Sequence, residues 1–194
     1  CFSDAAAVAG GAAVYAGVKL SDGSYSCQLL SSRSKLMQES IPRNELNALR
    51  IGANLVFDIK NALGDLVSES LFFTDSNIAM AWCMNTKKKL RLYCLNRVTE
   101  IRNLMESITG EADNLPIYHI DGNINIADLL TKPNNLKPDD VGESSEWVQG
   151  YDWMKLDLMY MPVTTFLQLQ TSSVQEECER EYFPEVFLPS AYSE

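Results

Sequence analysis

The sequence predicts a mixed α/β fold: a five-stranded sheet of three antiparallel strands and then parallel ones, flanked by helices. Two observations carry this. Residues 2–30 alternate small and apolar side chains around turn signals, the pattern of an antiparallel meander. Beyond Ser40, short apolar runs alternate with stretches of helical period, which sets helices against a sheet.

In chain order, Phe2 to Val18 reads as two strands joined by a tight turn at Gly10-Gly11. Asp22-Gly23 then turns the chain into a third strand over Tyr25–Leu30. Asp4 belongs to the first strand. Ser40 and Pro42 open a helix, Ser40 as a cap and Pro42 in the first turn, where a missing N–H has no intrahelical partner to lose. Leu46, Leu49, Ile51, Ala53, Val56, Ile59 and Leu63 form its apolar stripe, and Gly64 stops it. Glu45 lies at the edge of that stripe. It is either a first-turn charge stabilised by the helix dipole or one ligand of a site at the helix end.

Leu71 to Ser76 is an apolar run ending in an acid, a buried strand that delivers Asp75 into the crevice where open α/β sheets place ligands. Asn77 to Met84 reads as a short helix with Ile78, Ala81 and Trp82 inward. Lys87 to Arg91 opens a further helix to Ile108, with Leu95, Val98, Ile101, Leu104 and Met105 inward. Ile117 to Ile120 is the fifth strand. After the loop Asp121-Gly122-Asn123, Asn125 to Leu130 starts a last helix that contains Asp128 and ends at Pro133. Residues 1–133 are therefore read as one domain. Residues 134–194, rich in Pro, Asp, Glu and Ser and then in aromatics, are read as a connector, with Trp147 and Trp153 packing it back onto the domain.

The 194 residues carry a net charge of −10, which argues against a simple nucleic-acid binding module but not against an enzyme whose acids hold cations. One histidine excludes a multi-histidine metal site. Five cysteines without a C-x-x-C pair suggest reduced thiols and an intracellular setting. The Ala/Gly-rich start lacks an initiator Met and a basic leader and is interrupted by Asp4. It is expected to be the edge of a piece cut from a longer chain rather than a secretory signal. No apolar run reaches membrane-spanning length.

A central crevice could collect Asp4, Glu45, Asp75 and Asp128. Four carboxylates that close repel one another unless divalent cations neutralise them. Hard oxygen donors select magnesium or manganese. Two such ions about 3.5–4 Å apart can activate a water and stabilise the leaving oxygen of a phosphodiester.

The order Asp–Glu–Asp–Asp on this string of elements resembles ribonuclease H. The motifs SIPRNELNAL, FFTDSNIAMAW, NRVTEIR and HIDGNINIADLLTK resemble the ribonuclease H domain of LTR retrotransposon polyproteins, the Bel/Pao type in particular. WVQGYDW at Trp147–Trp153 is similar to a segment that follows this domain in Bel/Pao elements, ahead of integrase. The resemblance implies a ribonuclease H-like fold over residues 1–133 and a connector toward integrase over 134–194. It implies that Asp4, Glu45, Asp75 and Asp128 are catalytic and hold two Mg2+ ions, with Mn2+ as a substitute. The implied reaction is hydrolysis of the RNA strand of an RNA–DNA hybrid, leaving 3′-hydroxyl and 5′-phosphate ends, during reverse transcription. The hybrid would be read through minor-groove shape and 2′-hydroxyls. Implied partners are the hybrid and the reverse transcriptase and integrase regions of a parent polyprotein, with no membrane; the implied location is cytoplasmic, in a virus-like particle.

Substrate contact is assigned to Ser76, which alternatively caps the helix after Asp75, and to Lys87, Lys88, Lys89 and Arg91, the dense positive run. Asn123 and Asn125 join them; Asn123 stands where relatives often carry a histidine. His119 is expected to be structural, at a strand edge, and Arg97 to pair with an acid. The competing readings are a non-catalytic scaffold module of the same polyprotein, and a different two-metal nuclease or integrase of the same fold.

Overall fold

The computed structural model describes residues 1–85, 89–112, 114–132, 137–165, 168 and 182. Lys87, Lys88 and Pro133, singled out above, lie outside the described residues, as does most of the connector beyond Thr165.

Phe2–Ala5 forms β1, Ala9–Lys19 β2 and Tyr25–Leu36 β3, an antiparallel meander. The turn between β1 and β2 is Ala6-Ala7-Val8, not Gly10-Gly11, which lie inside β2. Close packing explains those glycines. A Cβ on Gly11 would stand 2.4 Å from the Arg33 carbonyl oxygen, and one on Gly10 would meet the Met37 thioether at 2.5–2.7 Å. The third strand also runs past Leu30 to Leu36, because pairing with β2 continues to Ala9.

Helix α1 (Ile41–Leu63) follows. Its N-terminus departs from the expected capping: Ser40 stands at the cap position but its hydroxyl makes no capping bond. The Asn44 side chain instead accepts from the Glu39 N–H at 3.2 Å. Leu46, Leu49, Ile51, Ala53 and Val56 are buried, while Leu63 is exposed where the helix outruns the sheet and stops at Gly64. β4 (Phe72–Thr74) pairs parallel with β1, and α2 (Asn77–Met84) buries Trp82 almost completely.

Helix α3 spans Leu92–Thr109, so Lys89 and Arg91 precede it rather than form its first turn. Its buried face is Cys94, Val98, Ile101, Met105 and Ile108, and Leu95 is exposed, one step around the helix from the expected stripe. β5 (Ile117–Ile120) pairs parallel with β4. The expected last helix is a short 3₁₀ segment, Ile126–Leu130.

A sixth strand, β6 (Val163–Thr164), pairs antiparallel with β5, giving the order β3-β2-β1-β4-β5-β6. The sheet has a core on each face. Ala5, Ala12 and Val14 meet α1, α2 and α3 on one side. Phe2, Ala13, Phe73 and Ile120 meet Ile126, Trp147 and Met154 on the other, with Trp147 in helix α4 (Glu146–Gln149). Phe2 stacks on Phe73 at 4.7 Å between ring centroids, and both meet the Trp153 ring edge-on. Trp147 and Trp153 thus pack their segment onto the sheet. Among the described residues, no helix is long and apolar enough to cross a membrane.

Candidate metal centre

Side chains alternate along β1, so Asp4 shares a face with Phe2 and sits at the C-terminal end of a strand buried on both sides. Parallel pairing with β4 brings the end of that strand alongside, and Asp75 is the next residue after it. Glu45 reaches the same point from the start of α1. The three carboxylates each offer an oxygen within 4.8 Å of the others, a group able to hold a metal ion.

Asn44 sets this meeting. It is fully buried, accepts from Glu39 N–H, and donates its amide to the carbonyls of Ala6 (3.0 Å) and Ala7 (3.3 Å). One side chain therefore ties the start of α1, which carries Glu45, to the turn that leaves Asp4. Below the acids, Gly122 approaches so closely that a Cβ there would meet Asp75 Oδ2 at 3.0 Å.

Asp128 lies outside the group of three. Its Oδ2 accepts from Lys132 Nζ at 2.6 Å, one turn further on. Its segment still reaches the site through Thr131, whose buried hydroxyl donates to Asp4 Oδ2.

The electrostatics are those of a crowded acidic cavity. Burial, reinforced by Asp75 and Asp4, pushes the Glu45 carboxyl up to about 9 against an Ala5 backbone hydrogen bond that lowers it. Burial also raises Asp4 to about 6, with the Thr131 bond and the Lys132 charge opposing and Asp75 and Asp128 adding to the rise. Asp75 is raised too, by burial first, while an Asn125 hydrogen bond and His119 pull it down. Glu45 Oε2 and Asp75 Oδ1 are buried without a hydrogen-bond partner. Buried carboxylate oxygens are seldom left so, and a hard divalent cation is the ligand that this donor set fits.

The remaining assigned residues divide. Asn123 is exposed, its amide turned back to Asp121 Oδ1 at 2.8 Å. Lys89 and Arg91 are exposed. Ser76 caps α2, accepting from Ala79 N–H at 3.2 Å. Asn125 is buried, donating to the Ser3 carbonyl at 2.9 Å and accepting from Ala127 N–H, so it joins the 3₁₀ segment to β1 while also reaching Asp75. His119 is not at an edge, since β5 lies between β4 and β6; its Nε2 stands 3.1 Å from the Asp75 carbonyl oxygen, to which it donates. Arg97 pairs with an amide rather than an acid, donating to Asn47 Oδ1 at 3.3 Å and lying over the Tyr93 ring.

Asn44, Gly122, Thr131 and Lys132 were not singled out by sequence. Thr131 had a signal, lying three residues beyond Asp128 on one face of a tight helical turn. For Asn44 there was none.

The mixed sheet thus brings acids from β1, α1 and the end of β4 to one point. Residues 1–76 match the family model described as Pao retrotransposon-like RNaseH-like domain, a span that contains Asp4, Glu45 and Asp75, and the match supports a ribonuclease H domain of the Bel/Pao type. No curated protein and no solved structure matches the chain.

Proposed function

We propose that this domain is a ribonuclease H that hydrolyses the RNA strand of RNA–DNA hybrids during reverse transcription of a retroelement. The observation that carries this is the convergence of Asp4, Glu45 and Asp75 within 4.8 Å, with buried carboxylate oxygens lacking a partner. These three would hold divalent cations, Mg2+ or Mn2+, and Asp128 would join from the 3₁₀ segment once Lys132 releases it. When bound, two such ions supply an activated water and charge stabilisation for the leaving oxygen.

The chain's own part is positional. Asn44 holds the acid-bearing elements in register, Gly122 leaves room for the Asp75 carboxylate, and Thr131 orients the Asp4 carboxylate. Water oxygen bonds to phosphorus as the P–O3′ bond breaks, leaving a 3′-hydroxyl and a 5′-phosphate. Asn123, Lys89 and Arg91, exposed on the loops leading into the 3₁₀ segment and α3, would contact the hybrid, with Lys87 and Lys88 in the same basic run. The reverse transcriptase and integrase regions of a parent polyprotein would flank the domain, in a cytoplasmic virus-like particle, with residues 1–133 the catalytic part and 134–194 leading toward integrase.

One observation favours a non-catalytic module instead: Asp128 is paired with Lys132 rather than turned into the acidic group. A hybrid labelled on both strands separates the two readings. With Mg2+ or Mn2+ the enzyme shortens only the RNA, and EDTA stops it; a folded, hybrid-binding protein that cuts neither strand is the module.

A further inference from the structure

Among the described residues, most cations of this acidic protein are already engaged. Arg43 pairs with Glu39, Arg50 with Glu100, Lys132 with Asp128 and Lys155 with Asp152. Lys60, Arg97 and Arg102 donate to backbone or amide oxygens, and Lys19 lies over the Tyr25 ring. Among the described residues, Arg33, Lys35, Lys89, Arg91 and Lys137 are the ones whose charged groups have no such partner. Lys89 and Arg91 belong to the run before α3. Arg33 and Lys35 stand elsewhere, on the exposed edge strand β3.

Their surroundings suit a polyanion. From Ser24 to Gln38 the chain has no Asp or Glu, in a molecule of net charge −10. The serines that alternate with them, Ser32 and Ser34, are exposed too and add no charge of their own.

The register ties this strip to the acids. Asp4 pairs with Gly11, and Gly11 with Ser34, so Ser34 shares a face with Asp4 two strands away, about 10 Å at the usual strand spacing. Arg33 and Lys35 project to the α1 face, the side from which Glu45 enters. Helix α1 packs on β1 and β2 and, beyond them, on α3, where Tyr93 receives the Arg43 guanidinium at 4.5 Å and the Asn47 amide at 2.9 Å. The β3 strip and the Lys89/Arg91 pair therefore flank the start of α1 on opposite sides.

We infer that Arg33 and Lys35 of β3 form a second backbone grip for nucleic acid, binding phosphates on the flank of the acids opposite Lys89 and Arg91. This rests on the ribonuclease H reading and extends it: the domain holds its hybrid on both sides of the scissile linkage. Phosphate contacts of this kind carry no sequence preference and weaken with salt.

The test is hybrid binding by fluorescence anisotropy in EDTA, across a salt series, so that no cutting intervenes. Arg33→Gln/Lys35→Gln is compared with the parent and with Lys19→Gln/Lys155→Gln, which removes the same charge at other positions; thermal melting checks that all three fold. The expected result is weaker binding by the β3 variant alone, with its log–log salt slope reduced by roughly 1 per residue neutralised. Equal binding and slope in parent and β3 variant, or an equal loss in the control, overturns the β3 grip while leaving the ribonuclease reading intact. A parent that binds no hybrid at any salt overturns both.

Discussion

Glu45 concentrates the energetic problem of this site in one side chain. Its carboxyl is pushed from an ordinary 4.5 to about 9, so between those values the folded, metal-free protein holds a proton that the unfolded chain releases. Stability of the metal-free domain is therefore expected to fall as pH climbs through that window, with Asp4 contributing at the lower end, from 3.8 to about 6. Melting in EDTA at pH 6 and pH 9 reads this directly, and Glu45→Gln should flatten the decline; an equally steep decline in the variant would contradict it. At the same scale, Asn44→Ala removes three hydrogen bonds inside a buried pocket and is expected to cost about 1–3 kcal/mol in chemical denaturation. The acids themselves were legible in sequence because each stands where an element begins or ends. Their support was not: Asn44 acts through backbone carbonyls nearly forty residues upstream, a relation no local pattern encodes.

The meander shows how packing overrides turn chemistry at the level of elements. Gly10-Gly11 has the composition of a turn, yet both residues are paired in β2 because neighbours crowd the space that a side chain would fill. The two differ in what they meet. A methyl at Gly10 presses on a flexible Met37, whereas one at Gly11 presses on the Arg33 backbone, directly opposite Asp4. Gly10→Ala is accordingly expected to be mild, and Gly11→Ala to cost about 1–3 kcal/mol and to weaken metal binding as well. Comparable melting temperatures for the two variants would argue against this account of β2. Helix type was legible less well than helix place. Ile126–Leu130 carries a helical sequence pattern, but Asn125 ties its start to β1 and Thr131 its end to Asp4, and between these anchors it is a 3₁₀ segment.

Seen whole, the sheet depends on residues beyond 133. The face that carries Phe2 and Phe73 is covered by Trp147, Trp153 and Met154, and β6 pairs with β5. Covering one tryptophan removes roughly 150–250 Å² from water, worth about 4–6 kcal/mol at most, which is comparable to the whole stability of a modest domain. A chain cut after residue 133 is expected to be unfolded or molten, as read by near-ultraviolet circular dichroism and melting; a cooperative melt near that of the full chain would contradict this. The sequence pointed to those tryptophans as packing residues, but the sixth strand is two residues long and carries no alternation to detect. Family likeness over residues 1–76 covers the half of the site that the sheet and α1 build, and stops short of Asp128.

Asp75 is the residue on which to ask whether the acids gathered around β1 hold the cations proposed to cut RNA. Cleavage of the RNA strand in a labelled hybrid, followed with Mg2+ or Mn2+ for the parent and for Asp75→Asn, compares the site with and without one charge. The variant is expected to fold and bind hybrid but to cut slower by more than the roughly 10–100-fold lost with a mere supporting group. A variant that cuts at the parent's rate would contradict it.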